Sequence, residues 1–338
     1  MMFAGKSYLA PMLDVTDNPG FLYLCKKYGC DVLVLPMAFL EGISANPAYI
    51  DGMLDMLFNN VQGFDFRPIV VQLIGQTVDL VKQVFDILSS YDIQGLNLNM
   101  GCPSTRVNMQ GLGSRMLERP QERDAIIDEM LKHSPFPFSI KMRLFSDSVA
   151  GRTVPNIDRT IAFCKSLEGK AISEVILHGR TACLGYRGKA NWDAIRAVHE
   201  ATSLPLVGNG DITCWQDGME RVHAGDCDAF MIGRAAIKDP RVFSPGQDPK
   251  SRKIIDDAYA LFKDLVDFLA PNERETARKY YESHQFRKIV LQFSRDTRGG
   301  RDLRLNVMKT KNLQDILDLF TNLGATGGTS RPEFFFHA

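Results

Sequence analysis

The chain has 338 residues, 45% hydrophobic and 24% charged, which suits an ordinary globular protein with one large core and room for a smaller unit. Its 40 basic and 40 acidic residues cancel, so a polyanionic partner must be met by a local patch rather than by the whole surface. No apolar run spans a bilayer, no leader precedes Tyr8, and dispersed cysteines and histidines offer neither a disulfide framework nor a metal cluster, so a reduced cytoplasmic protein without metal is expected.

In chain order, strands are predicted at Tyr8–Ala10, Val32–Met37, Ile69–Ile74, Gly95–Asn99, Phe138–Met142, Glu174–His178, Pro205–Asn209 and Asp228–Ile232. Helical patterns fall between most of them, at Val78–Ser89, Gln121–Lys132, Arg159–Leu167, Asn191–Ala201 and Trp215–Ala224. Eight strand-helix units within residues 1–243 have the size of a closed parallel α/β fold, the (β/α)8 TIM barrel. An open doubly wound sheet is the rival, but it usually has fewer strands, and no G-x-G-x-x-G turn follows the first strand. Beyond Phe243 the turn-forming Ser244-Pro-Gly-Gln-Asp-Pro reads as a linker. Helical signals at Ile255–Phe268, Arg274–Phe293 and Asn312–Leu323 then predict a small α-helical domain over 250–323, with a Gly/Thr-rich tail over 324–338.

Side chains alternate between the two faces of a barrel strand. Val70 and Gln72 therefore share a face, Asn97 and Asn99 share one, and Lys141 and His178 lie opposite their aliphatic neighbours. Gln72, Asn99, Lys141, His178 and Asn209 should converge at the C-terminal rim, where barrel enzymes keep their active sites. A single buried polar residue is ordinarily a satisfied core group; five at matching strand ends are hard to explain by packing.

The loops after strands seven and eight carry Asn209-Gly-Asp and Gly233-Arg, which can close backbone N–H groups and the Arg234 fork on a phosphate. Lys141 beside them suits the negative charge of a reduced isoalloxazine, and Gln72 can meet that ring's pyrimidine edge. Backbone groups of Pro11-Met12 can meet the flat ring; the plain alternative for Lys141 is a barrel salt bridge. Most lone cysteines are inert, but Cys102 lies just past strand four, in a turn set by Gly101 and Pro103, where a substrate would cover a flavin. An ordinary thiol is mostly protonated at neutral pH and can serve as a general acid. Cys183, after strand six, is the other cysteine placed near the rim.

Ala10-Pro-Met, Val71-Gln-Leu, Leu98-Asn-Met-Gly-Cys-Pro-Ser, Ile140-Lys-Met-Arg, His178-Gly-Arg-Thr, Gly185-Tyr-Arg-Gly-Lys-Ala-Asn-Trp, Gly208-Asn-Gly-Asp and Ile232-Gly-Arg-Ala-Ala occur in that order. Together they resemble the tRNA-dihydrouridine synthase family over nearly all of residues 8–243. The resemblance implies FMN held by Pro11, Met12, Gln72, Lys141, His178, Asn209, Gly210, Asp211, Gly233 and Arg234, with NADPH as electron source and uridine in tRNA as substrate. It implies hydride transfer from flavin N5 to uracil C6, with Cys102 protonating C5. Asn99 would sit close to flavin and base, and Arg180 would help hold the flavin phosphate or the RNA. The sequence departs from the family where Asn97 replaces a commonly acidic residue and in the segment Gln110-Gly-Leu-Gly-Ser-Arg.

Residues 271–311 hold 11 basic against 5 acidic groups, a local excess that fits a phosphate-tracking face including Arg287 and Lys288. A solvated helix face is the plain alternative. The expected partner is tRNA, with no membrane and a monomeric enzyme. Two other functions stay open: an FMN-dependent dehydrogenase of a free pyrimidine, of the dihydroorotate type, or an RNA-binding relative without redox activity.

Overall fold

Short aliphatic strands that bury both faces are stable only when helices cover one face and a closed interior covers the other. In the computed structural model, which describes residues 2–58, 64–246, 291 and 300–309, the chain meets both conditions. β1 (Ser7–Leu9) leads to α1 (Pro19–Lys27), β2 (Val32–Val34), β3 (Ala38–Phe39), α2 (Leu40–Ala45), α3 (Ala48–Phe58) and β4 (Ile69–Ile74). Next come α4 (Val81–Leu88), β5 (Gly95–Met100), α5 (Thr105–Asn108), α6 (Pro120–His133) and β6 (Phe138–Leu144). A hairpin of β7 (Ser146–Val149) and β8 (Arg152–Pro155) precedes α7 (Ile157–Ser166). The barrel then finishes with β9 (Ile172–Thr181), α8 (Trp192–Ala201), β10 (Leu206–Asn209), α9 (Trp215–His223), β11 (Ala229–Ile232) and α10 (Arg234–Lys238).

The strands pair in parallel in the order β2-β1-β11-β10-β9-β6-β5-β4, and β2 pairs back to β4, closing the ring. All eight predicted barrel strands are present. The second is shorter than expected because Pro36, with no N–H to donate, interrupts the ladder, which resumes as β3 beside β4 at Ala38–Leu73. The β7–β8 hairpin was not foreseen; Ala150 and Gly151 at its tip both take positive φ, the geometry of a tight hairpin turn.

Helices form where apolar residues recur at helical spacing. In α4, Val81, Val84, Phe85 and Leu88 are buried, and α7 and α8 start at Asn156 and Asn191, whose side chains accept N–H groups of the first turn. Among the described residues no helix is long and apolar enough to cross a membrane.

The interior explains why the site lies at one end. Tyr8, Val34, Val70, Ile176, Val207 and Met231 pack inside the ring, with Met2 and Phe3 against them. Two positions further along, the same faces turn polar: Val70 gives way to Gln72, Ile176 to His178 and Val207 to Asn209. At the opposite end the Tyr8 hydroxyl and the Met2 N–H both donate to Glu174 Oε2, at 3.1 and 2.9 Å. Burial pushes the Glu174 carboxyl above its ordinary range.

The three helices predicted over 255–323 lie almost wholly outside the described residues. One described helix, α11 (Gly300–Val307), falls between the helical signals read at Arg274–Phe293 and Asn312–Leu323. Its Val307 is fully buried in the apolar cluster that the barrel shares with its surrounding helices.

Candidate active site

The loops after the strands enclose a cleft of about 1550 Å³ at the C-terminal rim. Its floor is a chain of amides from β4 and β5. Asn99 Nδ2 donates to Gln72 Oε1 at 2.8 Å, Gln72 Nε2 to Asn97 Oδ1 at 2.7 Å, and Asn97 Nδ2 to Ser139 Oγ at 2.8 Å. The Ser139 hydroxyl donates in turn to the Leu96 carbonyl at 3.2 Å. Asn97 both accepts and donates here, so the amide in place of a carboxylate leaves no buried group unpaired.

Cys102 stands at the mouth of this floor, half-buried, with its backbone tied from several sides. Asn99 Oδ1 accepts the N–H groups of Gly101 and Cys102 at 3.0 and 2.9 Å. Ser114 N–H donates to the Cys102 carbonyl at 3.0 Å, and Arg143 Nε to the Gly101 carbonyl at 2.8 Å. Gly113 lets the chain come this close: it has φ +60°, and a Cβ there would lie 2.7 Å from the Cys102 carbonyl oxygen. A thiol held in this way can present its proton repeatedly in one place.

The other side of the cleft is cationic. Lys141 Nζ lies 3.3 Å from Asn209 Oδ1, while Asn209 Nδ2 donates to the Met231 carbonyl at 2.9 Å. Burial, and then the Arg143 charge, lowers the Lys141 ammonium to about 7, with Cys102 acting in the opposite sense. Burial followed by the charges of Lys141, Arg143, Arg180 and Arg234 holds His178 well below the usual imidazole range. Arg180 Nη1 donates to His178 Nε2 at 3.2 Å, which leaves Nδ1 of the neutral ring as its donor.

Asp211 gathers Arg180 at 2.6 Å, Arg234 at 3.1 Å and the Ala190 N–H at 2.8 Å. Burial opposes ionisation of Asp211, but these partners outweigh it and keep the carboxyl below its usual range. Its φ of 57° directs the chain from Gly210 into the loop, and a Cβ at Gly210 would lie 2.6 Å from Ala190.

Of the expected site residues, Pro11, Met12, Gln72, Asn99, Cys102, Lys141, His178, Asn209, Gly210, Asp211, Gly233 and Arg234 all line the cleft. The Met12 N–H donates to Thr16 Oγ1 at 2.8 Å, within a local turn. Arg180 is 1% exposed and does not line the cleft; its guanidinium is spent on Asp211, the Gly188 carbonyl and His178, which removes it from reach of RNA. Arg287 and Lys288 lie outside the described residues. Sequence reasoning missed Arg143, Gly113 and the exposed Tyr186, which sits beneath the Arg234 guanidinium at 4.8 Å. Arg143 closes the motif Ile140-Lys-Met-Arg, two residues beyond Lys141 on the same strand face, and both signals pointed to it.

A sequence profile described as dihydrouridine synthase (Dus) matches residues 8–321. A probable tRNA-dihydrouridine synthase of Rhizobium leguminosarum bv. phaseoli is 31% identical over 271 residues, covering 79% of this chain and 81% of that one. Another from Aquifex aeolicus is 24% identical and covers 93% of this chain and 94% of its own. Histamine dehydrogenase from Rhizobium sp. 4-9 superposes with a TM-score of 0.54 at 11% identity, over 70% of this chain and 45% of that longer one. A mutant of morphinone reductase in complex with tetrahydroNAD gives 0.50 at 9% identity, over 70% and 84%. These two structures share the barrel.

Proposed function

The chain belongs to the dihydrouridine synthase family and is an oxidoreductase, and on that premise we propose that it reduces uridine in tRNA to 5,6-dihydrouridine, with FMN as cofactor and NADPH as electron source. The observation that carries the reading is a backbone-clamped thiol and a cationic cluster in one cleft, Cys102 on one side and Lys141, Asn209 and Arg234 on the other.

The residues present fit FMN. Arg180, Arg234, Lys141 and Arg143 together outweigh Asp211, an excess that suits a phosphate-bearing anion. Gly210 and Gly233 line the cleft beside Arg234, where main-chain groups can approach a phosphate, and Gln72 and Asn99 offer amides from the floor. In this reading Lys141 and His178 hold the ring side, and Gly210, Gly233 and Arg234 hold the phosphate. Bound there, FMN supplies the hydride that adds to uracil C6.

Cys102 then gives its proton to C5, and the thiolate left behind faces the charges of Lys141 and Arg143. Asn99 keeps the donor loop in register with the floor beneath the base. The substrate uracil has to leave its stack to reach this depth, at a cost of roughly a few kcal/mol. Tyr186, 59% exposed at the mouth, offers a face on which an unstacked base can rest.

The test is direct. Purified protein is incubated with FMN, NADPH and an unmodified tRNA transcript, or with free uridine monophosphate or orotate, and the products are weighed by mass spectrometry. Dihydrouridine formed in the transcript alone supports the reading. Reduction of the free pyrimidine with no change in the transcript overturns it.

A further inference from the structure

Arg143 is 2% exposed, yet no carboxylate pairs with it among the described residues. Burying a cation is costly, and an aliphatic side chain of similar length would fill the same space without that penalty. The guanidinium is therefore explained by its donors. Nε donates to the Gly101 carbonyl at 2.8 Å, and Nη1 donates to the Gly185 carbonyl at 2.8 Å and the Thr181 carbonyl at 3.1 Å.

These carbonyls belong to two different loops. Gly101 precedes Cys102 after β5, whereas Thr181 ends β9 and Gly185 lies in the loop that follows it, next to Tyr186. An irregularity between β6 and β9 creates the geometry: Arg143 pairs with His178, but the next residue, Leu144, pairs with Thr181. Gly179 and Arg180 are skipped in the register, and the Thr181 carbonyl arrives beside Arg143. Only a planar fork with several fixed donors can serve three carbonyls from both directions, which a lysine ammonium cannot do in the same way.

We propose that Arg143 is a positioning residue that locks the Cys102 loop to the Tyr186 loop, so that seating a base at the mouth of the cleft and aligning the proton donor are one event. The inference deepens the uridine-reducing reading and rests on it for its catalytic consequence. Its structural half, the coupling of two loops, stands apart from any substrate. Arg143 also places a fixed positive charge where Cys102 becomes a thiolate after giving up its proton.

The experiment compares wild type with Arg143→Ala and Arg143→Lys by amide hydrogen exchange, first on the protein without RNA. In Arg143→Ala the amides of Gly101, Cys102 and Ser114 and those of residues 182–187 should speed up together, and added guanidinium ion should slow both sets again. Arg143→Lys preserves charge and folding in case the alanine variant is unstable; it should leave at least one of the two loops faster than wild type. With tRNA, kcat should drop about 100-fold in Arg143→Ala, as expected for a misplaced reacting group, while KM for the transcript moves less than about threefold. Guanidinium should restore part of that kcat. Exchange that rises in one loop only, or in neither, overturns the coupling, as does a loss confined to KM. Because the exchange arm uses no uridine, an enzyme that fails to act on tRNA would refute the substrate reading without touching the loop coupling.

Discussion

The Asn99 side-chain oxygen accepts the Cys102 backbone N–H at 2.9 Å while its amide nitrogen donates to Gln72 at 2.8 Å. One carboxamide thus registers the Cys102 loop against the floor of the barrel. Its removal frees two backbone N–H groups and unpairs Gln72 Oε1, at a cost of about 1–3 kcal/mol. Asn99→Ala is expected to slow uridine reduction by roughly 10- to 100-fold and to lower the melting temperature, read by single-turnover kinetics and thermal unfolding. Unchanged turnover would show that the Asn99 oxygen does not position Cys102.

Gly113 makes the same point through space rather than hydrogen bonding. A methyl group there would stand 2.7 Å from the Cys102 carbonyl oxygen and 3.0 Å from its Cβ, at a φ of +60° that penalises any side chain. Gly113→Ala should destabilise the fold by about 1–3 kcal/mol and displace Cys102, seen as a lower melting temperature and a slower proton-transfer step. A variant with wild-type stability and rate would mean that the loop accommodates the methyl group without strain.

Lys141 predicts a pH dependence for cofactor binding. In the protein alone its ammonium is lowered to about 7, first by burial and then by the Arg143 charge. A bound anion favours the protonated form, so FMN association should take up a proton above that pH. Affinity should fall as pH rises from 7 to 9, by up to about tenfold per unit, with calorimetry in buffers of different ionisation heat detecting the proton uptake. An affinity level across that range would remove Lys141 from contact with the anion.

Glu174 predicts the pH dependence of stability at the other end of the barrel. Its carboxyl is raised by burial, so the folded state binds this proton more tightly than the unfolded chain does. The cost of ionising it is absent below the unfolded value of about 4.3 and grows as pH rises through the folded value. Glu174→Gln keeps an oxygen for Tyr8 and Met2 but cannot ionise. Its melting temperature should gain on wild type as pH is raised from 4 to 8. A difference that shrinks over that interval would show that the charge is stabilised where it lies.

Much of the molecule was legible in the sequence because two regularities carry it. Aliphatic strand cores ending in Gln72, Asn99, Lys141, His178 and Asn209 revealed both the barrel and the end at which its cleft opens. What escaped were features set by the direction of backbone groups. Arg180, in His178-Gly-Arg-Thr, read as a phosphate or RNA ligand, yet it is buried and paired with Asp211, a partner 31 residues away that local sequence does not announce. Arg143 gave no sign of bridging two loops, because its three acceptors are main-chain carbonyls that no residue type announces. Gly113 was visible only as part of an unusual glycine-rich segment; its closeness to Cys102 exists only in the folded chain.

The proposed role of Cys102 as proton donor to the base is tested most directly by Cys102→Ala. The variant and the wild type are each loaded with FMN, reduced by NADPH and mixed with an unmodified tRNA transcript in a single turnover. The variant should retain FMN and accept electrons from NADPH, while dihydrouridine formation falls by a factor of about 100 to 10,000, the range expected on losing a general acid. Dihydrouridine formed by Cys102→Ala at the wild-type rate would contradict the assignment and move the proton donor elsewhere in the cleft.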